Sequence, residues 1–330
     1  MTSVLVLGGT AWLGARVAEA WLARGAAVTC LARGISGDAP QGAQLVRADR
    51  TAVGAYDAVA GRDWDEVVEL SYSPSLVNSG LEALASRAGH WTLVSTVSVY
   101  ASNSDAGAAE DAALLPVEDT DDYGQAKVAA ERATRSVLGD RLLVARAGLI
   151  GGLGDGSDRF GYWVSRFALA QQLGDGPVLV PATTGRWGQV IDVDDLAVWL
   201  AAAGEAGQSG TVNAAGESLA LQAVLQGAAH VAGYRGEMVG CSDEWLLERG
   251  VGYWAGPRSL PLWVPMADAA VAQRDTTALQ ASLTALGLAL SPLAATLERT
   301  LADERSRGLD RSRRSGLTRK DELELLTQLG

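Results

Sequence analysis

Hydrophobic positions along the chain fall into short runs separated by polar, glycine-punctuated stretches. In the first half, the apolar runs at 3–7, 26–32, 43–48, 65–70, 91–95 and 141–147 have the length and continuity of strands buried on both faces. Between most of them apolar residues recur at helical spacing, as in Val17, Ala20 and Trp21. Strand and helix in alternation predict an α/β fold: a Rossmann-type, doubly wound parallel sheet covered by helices. The rhythm breaks after residue 150. Gly151 to Gly156 reads as a flexible junction, and 157–187 as one helical stretch followed by a Pro- and Gly-punctuated segment. A strand at 189–191, a capped helix at 192–203 and a strand at 211–213 then bring the chain back to the first domain. The expected division is a sheet domain of 1–158 plus about 188–214, and a smaller, mainly helical C-terminal substrate lobe of 159–187 and 215–330.

The first strand runs directly into Gly8-Gly9-Thr10-Ala11-Trp12-Leu13-Gly14 and a helix. Strand, glycine turn and helix form a dinucleotide-binding start: Gly8 permits the turn, the helix N-terminus offers free N–H groups to a pyrophosphate, and Gly14 allows close helix-strand packing. Ala11 departs from that pattern, because its methyl group sits where glycine usually lets phosphate approach the backbone.

A second element of chemistry is Tyr123-Gly-Gln-Ala-Lys127. A phenol and an ammonium four residues apart share a helix face, and a nearby cation lowers a tyrosine pKa, so the pair suits proton transfer at a substrate oxygen.

Composition narrows the classes. A chain of 330 residues with 48% hydrophobic content can bury a large core. Arg16, Glu19 and Arg24 interrupt the early apolar segments well before bilayer length, so no membrane association is expected. Cys30 and Cys241 are the only cysteines; Cys30 lies in a strand pattern that predicts a buried free thiol, which fits a cytoplasmic location. A net charge of −12 makes nucleic acid an unlikely partner. His90 and His230 have no metal-ligand spacing, so no metal site is expected.

Taken together, these motifs resemble the extended short-chain dehydrogenase/reductase superfamily, also called the NAD-dependent epimerase/dehydratase family. Val94-Ser95-Thr96-Val97-Ser98-Val99-Tyr100 is similar to its strand ending in a hydroxyl residue, Arg146 to Gly151 to the segment under the nicotinamide, and Val190 to Ala197 to a later strand-helix signature. Asp275 to Ala278, then Leu286-Gly287-Leu288 and Pro292, are similar to its C-terminal ending. The resemblance implies a Thr96-Tyr123-Lys127 site, with Ser98 as the alternative hydroxyl, and Lys127 holding the nicotinamide ribose. It also implies cofactor contacts from Gly8, Thr10, Ala11, Trp12, Leu13 and Gly14, from Asp49 and Arg50, from Leu70, Ser71 and Tyr72, and from Ala147, Gly148 and Leu149. Leu70-Ser71-Tyr72 replaces the family's pair of small residues, so Tyr72 is expected to narrow or cover the nicotinamide side.

Cofactor choice is read at Arg33, after the second strand, where an acid would select NAD(H); a guanidinium suits the extra phosphate, so NADP(H) is favoured over NAD(H). Val97-Ser98 stands where the family's dehydratases carry Asp-Glu, which disfavours dehydration. The leading expectation is an NADP(H)-dependent oxidoreductase acting on the carbonyl or alcohol of a small, neutral and apolar substrate. An NAD-dependent nucleotide-sugar epimerase and a non-catalytic dinucleotide-binding regulator or RNA-associated protein are the alternatives.

The acidic run from Asp105 to Asp122 reads as solvated surface, or, if it covers the site, as favouring a neutral or cationic ligand. Trp163, Trp187, Trp245, Trp254 and Trp263 are available to an apolar pocket. The basic stretch Arg305–Lys320 reads as a solvated linker, followed by a helix capped by Thr318. Helices at 76–88 and 123–137, carrying Leu76, Leu84, Ala126, Ala129, Ala130, Ala133 and Val137, are expected to build a homodimer.

Overall fold

A computed structural model describes residues 1–329. The first half contains β1 (Ser3–Leu7), α1 (Trp12–Ala23), β2 (Ala27–Ala32), β3 (Gln44–Arg47), α2 (Asp57–Ala60), β4 (Trp64–Glu69), α3 (Pro74–Leu84), β5 (Ala88–Thr96), α4 (Tyr123–Leu138) and β6 (Leu142–Ala147). The second contains β7 (Leu149–Gly151), α5 (Phe160–Gln172), β8 (Val178–Pro181), β9 (Trp187–Asp192), α6 (Val193–Glu205), β10 (Gly210–Ala214), β11 (Ser218–Ala220), α7 (Leu221–Ala232), β12 (Met238–Cys241), α8 (Asp243–Glu248), α9 (Thr277–Leu286), α10 (Leu293–Arg307) and α11 (Arg319–Leu326).

Seven parallel strands form the main sheet in the order β10-β6-β5-β4-β1-β2-β3. Alternation along β1 divides the core: Val4 and Val6 pack with α1 and α6, whereas Leu5 and Leu7 pack with α3 and α4. The winding direction reverses at β1, so a cleft opens at the carboxyl ends of the central strands, where dinucleotides bind in such sheets.

The chain re-enters the main sheet as β10, at one edge. The strand expected at 189–191 takes another course: β9 pairs with β7 and β11 in a separate three-stranded sheet. Gly148 makes that step possible. It separates β6 from β7, its N–H donates to the Ala214 carbonyl, and a Cβ there would lie 2.9 Å from that of Ala215. The lobe packs α5, α7 and α10 around Trp163, Phe167 and Trp263, with β12 beside β8.

The basic C-terminal stretch is not a solvated linker. Arg313 pairs with Glu304 at 2.7 Å, Arg307 with Asp158 at 3.0 Å, and Arg311 with both acids; Glu304 and Asp158 are buried. Buried carboxylates require such partners, and α10 supplies one acid while the end of the glycine junction supplies the other. Thr318 caps α11 by accepting from the Asp321 N–H at 3.0 Å. No described helix is long and apolar enough to cross a membrane.

Candidate active site

The glycine turn has the backbone that a pyrophosphate needs. Gly8 adopts φ +100°, a conformation natural to glycine, and a side chain at Gly14 would press into the Gly8 carbonyl. Ala11 occupies the N-cap of α1 without a side-chain cap, so the first-turn amides have no side-chain partner. Ala11, Trp12, Leu13 and Gly14 line a cavity of about 660 Å³. The open helix start and the close-packed glycines fit the phosphates of a nicotinamide dinucleotide. Trp12 also ties this turn to the glycine junction, its Nε1–H donating to the Leu153 carbonyl at 2.8 Å. The junction is therefore held in place rather than hanging free.

Thr96 ends β5, and Tyr123 and Lys127 lie one turn apart at the start of α4; all three line the same cavity. Asp122 fixes the start of α4 by accepting from the Gln125 N–H at 2.9 Å. The Thr96 hydroxyl donates to Ser98 Oγ at 3.2 Å and accepts from the Ser98 N–H at 3.1 Å, so both hydroxyls of the alternative pair belong to one array. Burial raises the Tyr123 pKa, while contact with Thr96 and the charge of Arg159 pull it back. Lys127 contributes no such pull. Its Nζ donates to the Val94 carbonyl at 2.6 Å and the Ser71 carbonyl at 3.1 Å, and burial lowers its pKa to about 8. The cation acting on the phenol is Arg159, which lines the cavity from the N-cap of α5.

The other expected residues are placed unevenly. Leu70, Ala147, Gly148 and Leu149 line the cavity with the glycine turn. Ser71 offers its carbonyl to Lys127. Tyr72 packs edge-on against Tyr123, with ring centroids 5.6 Å apart. Arg33 is exposed and makes no side-chain hydrogen bond or ion pair among the described residues; Asp49 lies near enough for its pKa to be lowered by Arg33, after the larger effect of hydrogen bonds from Thr51. Thr10 is buried in the turn. Arg50 is committed elsewhere, donating to both Glu69 carboxylate oxygens, to the Tyr56 hydroxyl and to the Leu76 carbonyl.

The acidic run stays outside the cavity. Glu110 accepts from the Asn213 N–H at 2.7 Å, Asp122 caps α4, and Asp105, Asp111, Glu118, Asp119 and Asp121 are exposed; of this loop only Asn103 lines the cavity. Of the five tryptophans considered for a pocket, Trp187 and Trp254 line it, whereas Trp163 and Trp263 are buried in the lobe core. Trp245 packs at the edge of that core. The cavity also takes Asp268 and Arg159, two residues that the motif reading passed over. Arg159 stands where the junction meets a helical pattern, which was the one available sequence signal.

The sequence model of the NAD dependent epimerase/dehydratase family matches residues 4–215. The chain belongs to this family. Among solved structures, a Burkholderia cenocepacia J2315 protein provisionally assigned as an epimerase is 23% identical, with a TM-score of 0.70 over 92% of this chain and 98% of that one. UDP-glucuronic acid 4-epimerase from Bacillus cereus, solved with NAD, is 16% identical, with a TM-score of 0.66 over 93% and 99%. UDP-N-acetylglucosamine 4-epimerase from Bacillus cereus is 18% identical, with a TM-score of 0.66 over 93% and 100%. Among curated protein sequences, none matches the chain. Within this family the Rossmann-like sheet and the glycine turn make the protein a member of an NAD(P)-dependent enzyme class.

Proposed function

We propose that this protein is an NADP(H)-dependent oxidoreductase that interconverts a carbonyl and an alcohol on a small substrate. The observation carrying this reading is that Thr96, Tyr123 and Lys127 line one cavity with the uncapped start of α1. The dinucleotide, when bound, supplies or accepts hydride at the oxygen-bearing carbon. Thr96 orients the substrate oxygen, and Tyr123 gives it a proton on reduction or takes one on oxidation. Lys127 has three donors; Ser71 and Val94 occupy two, which leaves one for a ribose hydroxyl. Arg33, free at the end of β2, suits the additional phosphate of NADP(H).

The cavity walls favour a small substrate. Trp187, Trp254, Leu262, Val264 and Val271 are apolar, and the cationic lining residues are Lys127 and Arg159. A nucleotide-sugar would bring two further phosphates, yet nearby arginines are engaged: Arg186 with Asp243 and the Val264 carbonyl, and Arg274 with Ser102 and Asn103. A second reading, nucleotide-sugar epimerisation, is favoured by the names of the structural neighbours. Oxidation of added NADPH by ketones or aldehydes supports the oxidoreductase; NAD that survives purification, with epimerisation of a UDP-sugar and no net cofactor consumption, would replace it with the second reading.

The same reading places the enzyme in a reducing cytoplasm, with Cys30 and Cys241 as free buried thiols. It also retains a homodimer through the outer faces of α3 and α4. Leu84, Ala126 and Ala130 are buried within the subunit and unavailable, which leaves half-buried Leu76, Ala129 and Ala133 and exposed Val137 for contact. A monomer mass by light scattering at micromolar concentration would remove the dimer.

A further inference from the structure

Arg159, half-buried in the cavity lining, differs from the protein's buried arginines in that neither of its terminal nitrogens is hydrogen-bonded. Arg146, Arg166 and Arg186 lie within ion-pair distance of a carboxylate, and Arg274 donates to the Ser102 carbonyl and to Asn103 Oδ1. The Arg159 guanidinium has no carboxylate partner among the described residues. Its Nε–H donates to Ser157 Oγ at 3.2 Å, its two terminal nitrogens make no hydrogen bond, and its Cζ lies 5.3 Å from the Trp254 ring centre. Asp155 attracts it from beyond ion-pair distance and is itself bonded to the Ser157 N–H at 2.8 Å. The residue is half-buried and lines the cavity, so a planar anion can take its double-donor edge in place of water.

We propose that Arg159 anchors the substrate by a single carboxylate, taken in a bidentate pair at the terminal nitrogens. The substrate class is thereby a small oxo- or hydroxy-carboxylic acid with an apolar remainder, charged at one end where the sequence led to the expectation of a neutral molecule. Three features of the cavity support one planar monoanion. Trp254 flanks the guanidinium while Ser157 accepts from its Nε–H, leaving the terminal nitrogens for two parallel N–H···O bonds. The other cation in the lining, Lys127, is bonded to two carbonyls and is assigned to the ribose, so a diphosphate would find one guanidinium where it needs several donors. Asp268, half-buried in the same lining, opposes additional negative charge, and the tryptophan and aliphatic walls suit a hydrocarbon remainder. Because Arg159 also bears on Tyr123, an acid held there lies beside the phenol that handles its oxygen.

This inference rests on the oxidoreductase reading, so its test is a binding measurement. The full-length protein saturated with NADP⁺ is titrated by calorimetry with phenylpyruvate, methyl phenylpyruvate, phenyl phosphate and UDP. The acid should bind about tenfold or more tightly than its ester, as a charge-assisted bidentate pair requires. Arg159→Gln should bring acid and ester to within about threefold while NADP⁺ affinity is unchanged, and Arg159→Lys should fall between, because an ammonium lacks the fork. Equal binding of acid and ester by the unmodified protein, no binding of the acid at millimolar concentration, or a preference that survives Arg159→Gln overturns the assignment. Tighter binding of phenyl phosphate or UDP than of the acid overturns the carboxylate and gives the guanidinium to a phosphate. Failure of the oxidoreductase reading is visible separately, as acid preference without NADPH oxidation by the same acid.

Discussion

Lys127 shares a helix face with Tyr123, but its ammonium is held by the Val94 and Ser71 carbonyls at 2.6 and 3.1 Å, and the charge that bears on the Tyr123 phenol comes from Arg159. The two cations therefore divide the work expected of one. Lys127 ties α4 to β5 and to the segment after β4, and Arg159 bears on the phenol from the N-cap of α5.

Removing Arg159 has a consequence for pH dependence. Burial already raises the Tyr123 pKa and Arg159 opposes that rise, so Arg159→Gln moves it further up. Alcohol oxidation, which needs the phenolate, should then show its rising limb at more alkaline pH than in the unmodified enzyme. An unchanged pH–rate profile would show that the charge does not reach the phenol.

Lys127 is expected to oppose stability. Its pKa falls from 10.5 to about 8 on burial, so the folded protein at pH 7 holds a cation that prefers water. Lys127→Met should raise the stability of the cofactor-free protein by about 2–3 kcal/mol at pH 7 while abolishing turnover. The sign follows from proton binding: between pH 8 and 10.5 the unfolded chain binds more protons at this site, so the unmodified protein gains stability as pH rises and the difference closes. Chemical denaturation of both proteins at pH 7 and pH 10 checks the sign.

Glu304 is buried among Arg311, Arg313 and Arg307, with Arg313 at 2.7 Å. Glu304→Gln leaves partly buried guanidinium groups short of one counter-charge and should destabilise the fold by about 1–3 kcal/mol. A melting temperature within a degree of the unmodified protein's would mean that Asp158 alone suffices.

The sheet was legible in the sequence because its strands are buried on both faces and read as continuous apolar runs; Ser3–Leu7 and Leu142–Ala147 appear within a residue of their expected bounds. The Thr96-Tyr123-Lys127 grouping was legible through motif spacing, and the structure puts all three in one cavity. What escaped depends on contacts across long separations. β9 looks like any short strand until its partners β7 and β11 are known. The basic run at 305–320 reads as solvated until Glu304 and Asp158 are seen to be buried against it. Arg50 sits beside a motif acid, and only the fold directs it to Glu69. Arg159 and Asp268 carry no motif at all; α5 and the segment at 266–272 bring them to the site.

Cofactor preference is tested at Arg33. NADPH should bind more tightly than NADH, and Arg33→Asp should reverse the order, since a carboxylate accepts the ribose hydroxyls and repels a phosphate there. Calorimetry giving equal or tighter NADH binding in the unmodified protein contradicts this.

In the proposed reaction this site moves hydride between a bound dinucleotide and an oxygen-bearing carbon, with Tyr123 handling the proton. That reaction is tested most directly by mass spectrometry of the product formed from a ketone or oxo-acid and NADPH carrying deuterium on the transferring face of C4. The prediction is one deuterium on the alcohol carbon for each NADPH oxidised, with the rate lowered about 10²–10⁴-fold by Tyr123→Phe while NADPH affinity stays within a few-fold. Alcohol product without deuterium, or a Tyr123→Phe rate near that of the unmodified enzyme, would contradict it.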